Sequence, residues 1–207
     1  MDIEILRQTE FATDETVDLL KKVVVFGAGT MGRGISQLIA SKGMDVVLIE
    51  RDEASANEGI DELEKTIDTE IARWTMTESE KRAILSRVVV SHKVEDAIHG
   101  DVVIEAIQEN LQAKRNLLRK IDEICEPDTI IITNTSALSI TEIASATSRQ
   151  DKVIGMHFLN PVPKIPLVEV VRGLKTSDET YHFIKSFAEM LDKTAVEVFE
   201  YPGYVTT

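Results

Sequence analysis

Residues 22–32 read KVVVFGAGTMG, and this stretch decides the fold of the 207-residue chain. The apolar run before the first glycine predicts a buried strand, and helical spacing of apolar residues starts at Met31. The three glycines between them have separate tasks: Gly27 makes the tight turn, Gly29 lets the backbone approach a pyrophosphate, and Gly32 lets the helix pack on the strand. The N-terminus of that helix offers unpaired N–H groups and a partial positive charge to phosphates. The motif therefore predicts a dinucleotide-binding domain whose cofactor contacts include Gly27, Ala28, Gly29, Thr30, Met31 and Gly32.

A carboxylate follows at the spacing that distinguishes the two nicotinamide dinucleotides. The second predicted strand ends at Glu50, 18 residues after Gly32. A carboxylate there can accept hydrogen bonds from the adenosine ribose hydroxyls and repel a 2′-phosphate, which favours NAD over NADP. Arg51 keeps the alternative open, because an arginine beside this position could receive the extra phosphate.

The rest of the chain predicts an α/β fold with a Rossmann-type, doubly wound and mostly parallel sheet. Runs of β-branched residues alternate with helical patterns, as in parallel sheets covered by helices on both faces. The predicted strands are Lys22–Phe26, Asp45–Ile49, Arg87–Val90, Val102–Glu105, Thr129–Thr133, Val153–His157, Leu167–Val171 and Ala195–Phe199. The predicted helices are Met31–Ser41, Glu53–Trp74, Glu78–Leu85, Leu111–Cys125, Ile140–Ser145 and Asp178–Leu191. The stretch Glu53–Arg82 exceeds a simple crossover, so it predicts an excursion of two helices at the sheet edge.

Composition and charge argue against several classes of protein. The chain has 36 acidic and 23 basic residues and a net charge of −13, so binding to nucleic acid or to anionic lipid is not expected. No apolar run reaches the roughly 18 residues that span a bilayer. The first 20 residues carry six carboxylates and one arginine, unlike a signal or transit peptide. The one cysteine, Cys125, fits a reducing cytoplasm and reads as a small apolar helix residue.

A titratable pair downstream of the nucleotide motif suggests chemistry as well as binding. Residues 157–169 read HFLNPVPKIPLVE and place His157 and Glu169 twelve residues apart across a proline-rich turn. A lone histidine at a strand end is more often structural, but a carboxylate partner beside a dinucleotide site favours a general base. The other histidines lack such company and are interpreted as surface or helix-end residues: His92, His99 and His182. No cluster has the spacing of metal ligands, and no metal is expected.

Several motifs together resemble the short-chain L-3-hydroxyacyl-CoA dehydrogenase family. The resemblance covers nearly the whole chain from Lys22 onward. It depends on GAGTMGRG at 27–34, DVVIEAIQEN at 101–110, NTSAL at 134–138, GMHFLNPVP at 155–163, LVEV at 167–170 and Pro202-Gly203. The resemblance implies NAD as cofactor and an acyl-CoA as substrate, oxidised at its 3-hydroxyl group or formed by the reverse reduction.

The family's roles carry over to matching positions. His157 resembles the catalytic base, and Glu169 resembles the carboxylate that orients the imidazole. Ser136 resembles the hydroxyl that hydrogen-bonds the reacting oxygen. Contacts to cofactor or substrate are implied for Asn160, Glu109 and Lys114, and Lys114 could also meet a CoA phosphate.

Each of these roles has a structural alternative. Residues 134–136 could serve as caps of a turn or helix with no catalytic role. Glu109 could complement a helix dipole from the first turn, and Lys114 could be a solvated helix charge. Glu105 poses a separate question, because a carboxylate on a buried strand needs a partner that the sequence does not identify.

The predicted organisation is an acidic extension at 1–20, an NAD-binding domain at 21–201 and the start of a linker at 202–207, after a turn at Tyr201-Pro202-Gly203. The family's helical C-terminal domain of about a hundred residues, which forms the dimer and one wall of the substrate cleft, has no counterpart here. The resemblance therefore implies a chain that binds NAD but turns over poorly, within a homodimeric parent. Thr207 stands where the family has an asparagine that contacts substrate.

Two alternative functions remain open. One is a dehydrogenase of the same architecture that acts on a 3-hydroxy acid without CoA. The other is an NAD-binding module without catalysis, since the fold does not determine function.

Overall fold

The computed structural model describes residues 20–200, which form one sheet with helices on both faces. The eight strands within this range are β1 Lys22–Phe26, β2 Asp45–Ile49, β3 Val88–Ser91, β4 Val102–Glu105, β5 Ile130–Thr133, β6 Val153–Phe158, β7 Leu167–Arg172 and β8 Thr194–Phe199. The α-helices are α1 Thr30–Ser41, α2 Glu53–Ala72, α3 Glu78–Leu85, α4 Leu111–Ile124, α5 Ile140–Ala144 and α6 Asp178–Met190. Two short 3₁₀ turns cover Val94–Ala97 and Gln150–Lys152.

The strand order creates a crevice at the carboxyl edge of the sheet. The order is β3-β2-β1-β4-β5-β6-β7-β8, and only the β6–β7 pair is antiparallel among these neighbours. The chain winds outward from β1 in one direction and, from β4, in the other, so β1 and β4 flank the switch point where α/β sheets bind ligands. The predicted doubly wound, mostly parallel sheet is confirmed, including the addition of the two C-terminal strands to it.

Alternation along the strands distributes the core between two layers. In β1, Val23 and Val25 pack in a cluster with α1, α2, α3 and α6, whereas Val24 and Phe26 pack in a second cluster with α4 and α5. All four side chains are at most 5% exposed. Burying such a side chain contributes about 1.5–3 kcal/mol, so the two layers together fix the helices on either face.

The predicted two-helix excursion is confirmed, with small changes at its ends. Asp52 caps α2 by accepting from the Ser55 N–H at 2.8 Å, and a capping box between Thr77 and Glu80 starts α3. The helix α2 ends at Ala72 and does not reach Trp74, because Trp74 has a φ of 60° that no helix accommodates. Elsewhere β3 lies one residue later than predicted and β6 continues to Phe158.

Some predictions fall outside residues 20–200. These are the acidic extension up to residue 19, the turn at 201–203, the linker and the substitution at Thr207. Within the described range, none of the helices combines the length and the apolar character needed to cross a membrane.

Candidate active site

The antiparallel pairing of β6 with β7 brings His157 and Glu169 together. The two residues lie directly opposite each other in the strand register, and Nδ1 of His157 is 2.7 Å from Oε2 of Glu169. The twelve-residue spacing is therefore a hairpin spacing, with residues 159–166 as its loop. His157 is 8% exposed and Glu169 is 1% exposed. A carboxylate only accepts, so Nδ1 donates to it, and in the neutral ring Nε2 then carries the lone pair that can take a proton.

The pair faces the side of the sheet that carries α4 and α5. Its strand neighbours Met156 and Phe158 pack in the opposite layer, with α6. Gly155, on the same side as His157, lies against α5, where an added Cβ would be 2.6 Å from Cδ1 of Ile140. The alternation of β6 thus leaves the imidazole on the same face as the loop that follows β5.

The end of β5 is tied to β6 next to the histidine. Oδ1 of Asn134 accepts from the Phe158 N–H at 3.0 Å, and Thr135 Oγ1 accepts from the Leu138 N–H at 3.1 Å. The alternative that these residues cap a turn is therefore correct for Thr135. The turn does not use the Ser136 hydroxyl, so the predicted role of Ser136 stays a prediction. Ser136 lies two residues after Asn134, which anchors the loop to β6.

Glu109 holds that loop from the segment between β4 and α4. Its Oε1 accepts from the Thr135 hydroxyl at 2.6 Å and from the N–H and hydroxyl of Ser136 at 2.9 and 3.2 Å. Partial burial opposes ionisation, but these bonds and the charge of Lys114 outweigh it and hold the pKa of Glu109 below its ordinary value. The first-turn alternative is wrong, because α4 starts at Leu111 with Asn110 as its cap.

Lys114 is buried and supplies the missing partner of Glu105. Its Nζ lies 2.7 Å from Oε1 of Glu105, 3.3 Å from Oε2 of Glu109 and 3.3 Å from the Ile107 carbonyl. Glu105 also accepts from the Ile107 N–H at 2.8 Å and the Thr133 hydroxyl at 2.6 Å. Lys114 is 1% exposed, so the alternative of a solvated helix charge is wrong. Its contact with cofactor or substrate stays a prediction, and its ammonium already faces three protein oxygens.

The glycine loop has the shape that a dinucleotide requires. Gly27 has a φ of 98°, and an added Cβ would lie 2.6 Å from the Ala106 carbonyl oxygen. At Gly32 an added Cβ would be 1.7 Å from the Gly27 carbonyl oxygen, so the helix touches the turn itself. No atom lies within 4 Å of the same position on Gly29, which is exposed and caps α1 without a side-chain bond. The open space and uncapped N–H groups fit a pyrophosphate.

The remaining loop residues are placed as follows. Thr30 and Met31 begin α1, with Thr30 exposed and Met31 half-buried. The backbone of Ala28 is held on both sides, since its N–H donates to Oε1 of Glu50 at 2.6 Å and its carbonyl accepts from Arg33 at 2.7 Å. Glu50 is therefore at the glycine loop, as its spacing predicts.

The side chain of Arg51 forms an ion pair with its neighbour Asp52. Its Nε lies 3.0 Å from Oδ2 of Asp52, and its side chain is 83% exposed. The arginine that could have received a 2′-phosphate is thus paired with the helix cap of α2. This placement is consistent with a preference for NAD.

Asn160 lies at the start of the hairpin loop and is exposed at the carboxyl edge. The loop behind it is fixed by a residue that sequence reasoning missed. Lys193 is 5% exposed and donates to the carbonyls of Val162 and Ile165 at 2.7 and 2.6 Å. Nothing in the sequence around Lys193 signals this contact, because its partners are about thirty residues away along the chain.

Other candidates of the sequence are not part of this arrangement. Cys125 is buried, and burial raises the pKa of its thiol to about 11, so it behaves as an apolar core residue. His92 and His99 are exposed, and His182 is half-buried on α6. Within residues 20–200 no group of three or more metal-binding side chains comes together.

Comparisons with known proteins give a consistent result. The sequence profile described as "3-hydroxyacyl-CoA dehydrogenase, NAD binding domain" matches residues 22–201. A probable 3-hydroxybutyryl-CoA dehydrogenase of Bacillus subtilis is 45% identical over 187 residues, which is 90% of this chain and 65% of that protein. A 3-hydroxybutyryl-CoA dehydrogenase of Clostridioides difficile is 43% identical over 89% of this chain and 66% of its own length.

A solved structure agrees with these relatives. The crystal structure of (S)-3-hydroxybutyryl-CoA dehydrogenase from Ralstonia eutropha superimposes with a TM-score of 0.87 at 40% identity, covering 90% of this chain and 66% of that one. The chain thus spans about two thirds of the length of each of these three proteins.

Proposed function

The chain belongs to the 3-hydroxyacyl-CoA dehydrogenase family, and we propose that its protein interconverts an L-3-hydroxyacyl-CoA and the corresponding 3-ketoacyl-CoA. Its described part is an NAD-binding domain. The observation that carries the proposal is the 2.7 Å contact between Glu169 on β7 and His157 on β6, the strand next to β5 and its following loop with Ser136. When bound, NAD supplies the hydride acceptor for the oxidation or, reduced, the hydride donor for the reverse reaction.

In the proposed oxidation His157 removes the proton from the substrate's 3-hydroxyl group. Nε2 accepts this proton, and the imidazolium that forms is stabilised by the carboxylate of Glu169, which also fixes the plane of the ring. In the reduction the same nitrogen returns the proton. A buried carboxylate suits this task because water does not weaken its interaction with the imidazolium.

The hydroxyl of Ser136 has the proposed task of hydrogen-bonding the reacting oxygen. Glu109 holds the Ser136 N–H and its neighbour Thr135, which reduces the freedom of the loop. A donor that is fixed before the reaction stabilises developing charge without the cost of reorganisation. The Ser136 hydroxyl lies 3.2 Å from Oε1 of Glu109, so binding of substrate would redirect it.

The names of the Bacillus and Clostridioides relatives support a short acyl-CoA such as 3-hydroxybutyryl-CoA. The family resemblance implies a homodimer and a contact of Asn160 with cofactor or substrate. Both stay predictions. A non-catalytic NAD module is disfavoured, because a sensor has no need of a buried His–Glu pair.

A substrate comparison tests the proposal against the dehydrogenase of free acids. We expect the full-length protein to oxidise NADH with acetoacetyl-CoA at least about a hundredfold more efficiently, by kcat/KM, than with acetoacetate, because remote binding energy contributes to the transition state. The measurement is the loss of NADH absorbance. Equal efficiencies would support the free-acid alternative, and no reaction with either compound would argue for a module without catalysis.

A further inference from the structure

A group of three charged residues lies next to the site, and the mechanism above uses only one of them, Glu109, which holds the loop of Ser136. Glu105 and Lys114 are 0% and 1% exposed and form an ion pair at 2.7 Å. Glu109 joins them through Lys114 at 3.3 Å. We call Glu105, Lys114 and Glu109 the charge cluster. Two carboxylates and one ammonium give it a net charge of −1.

Glu105 is the most rigidly held residue of this cluster. It pairs with Phe26 in the β1–β4 register, so it lies next to the Gly27 turn at the switch point of the sheet. The Thr133 hydroxyl and the Ile107 N–H bind its two oxygens at 2.6 and 2.8 Å, which leaves the carboxylate one orientation. Such a carboxylate holds the Lys114 ammonium in place and, through it, one oxygen of Glu109.

The cluster lies at the end of the sheet where the proposed chemistry takes place. Glu109 bonds to Ser136 on the loop after β5, and Asn134 joins that loop to β6 beside His157. Because hydride and proton leave neighbouring atoms of one substrate, the reactive ring of the cofactor has to reach this same end. The charge of the cluster therefore acts on whichever redox form of the ring is bound.

We propose that Glu105 sets the charge of this cluster and that this charge strengthens binding of the oxidised cofactor relative to the reduced one. The oxidised nicotinamide ring is a cation, whereas the reduced ring is neutral. A net negative charge near the ring stabilises the cation selectively, and the buried members of the cluster, Glu105 and Lys114, are only weakly screened by salt. The inference depends on the proposed function, since it assumes that the ring binds beside Ser136 and His157. Glu105 is thus a positioning residue that tunes the equilibrium between the bound redox forms.

The test is the ratio of two dissociation constants, Kd for NAD⁺ divided by Kd for NADH. Both are measured on the full-length protein by calorimetry and NADH fluorescence. In Glu105→Gln the net charge of the cluster becomes zero, and we expect the ratio to rise about tenfold. In the double variant Glu105→Gln with Lys114→Met the charge returns to −1, and we expect the ratio to return to within about threefold of wild type.

A matched control separates charge from loss of structure. Asp122 lies at the other end of α4 and forms a largely buried ion pair with Arg149 at 2.7 Å. Asp122→Asn is expected to lower stability but leave the ratio unchanged. If Glu105→Gln does not fold, Glu109→Gln removes the same charge from an exposed side chain and should also raise the ratio.

The outcomes distinguish this inference from the proposed function. An unchanged ratio in Glu105→Gln, or in Glu109→Gln where Glu105→Gln does not fold, would overturn the inference while cofactor binding by the wild type stands. A ratio that stays high in the double variant would also overturn it. Failure of the wild type to bind either form would overturn both the inference and the proposed dehydrogenase.

Discussion

Replacing His157 by alanine is expected to lower kcat of the full-length protein by about a thousandfold, the usual contribution of a positioned general base. The side chain lies opposite Glu169, away from the glycine loop, so its loss removes the proton acceptor without altering the contacts expected for the cofactor phosphates. We therefore expect Kd for NAD⁺ to stay within about twofold of the wild-type value, because the residue contributes mainly to the transition state. Steady-state kinetics and a binding titration on one preparation measure both quantities.

His99→Ala is the matched control for this variant. His99 is exposed and precedes β4 at the amino edge of the sheet, opposite the site, so its loss should leave kcat unchanged. Retention of a tenth or more of the wild-type kcat by His157→Ala would refute the role of His157 as base. A parallel loss in His99→Ala would show that the assay reports general damage.

Replacing Gly32 by alanine is expected to destabilise the domain by about 3 kcal/mol or more, the upper range for overpacking a filled site. A Cβ at this position would lie 1.7 Å from the Gly27 carbonyl oxygen, which is backbone and cannot rotate away. Relief of the clash has to move α1 away from the turn, and this also disturbs the phosphate site. Denaturant unfolding measures the free energy, and titration measures the accompanying loss of NAD affinity.

Gly29→Ala provides the contrasting case in the same loop. Gly29 has a φ of −66° and open space where the Cβ would be, so alanine fits the ligand-free fold. We expect the free energy of unfolding to change by less than about 0.5 kcal/mol, while NAD affinity falls because the methyl group occupies the approach to the pyrophosphate. Equal destabilisation by both substitutions would contradict the separate roles assigned to the two glycines.

Local signals in the sequence were enough for the fold and for the His–Glu pair. The apolar run before Gly27 and the glycine spacing predict the first strand, turn and helix because each feature depends on residues close in the chain. The pair of His157 and Glu169 was predictable for a similar reason. The hairpin formed by β6 and β7, with residues 159–166 as its loop, brings two residues twelve positions apart into register.

The partners inside the site were not predictable in the same way. Glu105 and Lys114 lie on different elements, and only the packing of α4 against the end of β4 brings them within 2.7 Å. The sequence shows that a buried carboxylate needs a partner, but it does not show which cation lies nearby. Lys193 is a stronger case, since a lysine before an edge strand is normally solvated and here it binds two main-chain carbonyls.

Isotope transfer shows whether the cofactor takes its hydride from carbon 3 of the substrate. The full-length protein is incubated with NAD⁺ and L-3-hydroxybutyryl-CoA that carries deuterium at carbon 3, and the reduced cofactor is analysed by mass spectrometry. We expect one deuterium in the reduced cofactor for each ketone formed, and about a thousandfold slower labelling in His157→Ala. Formation of the ketone with an unlabelled cofactor, or no ketone at all, would contradict this expectation.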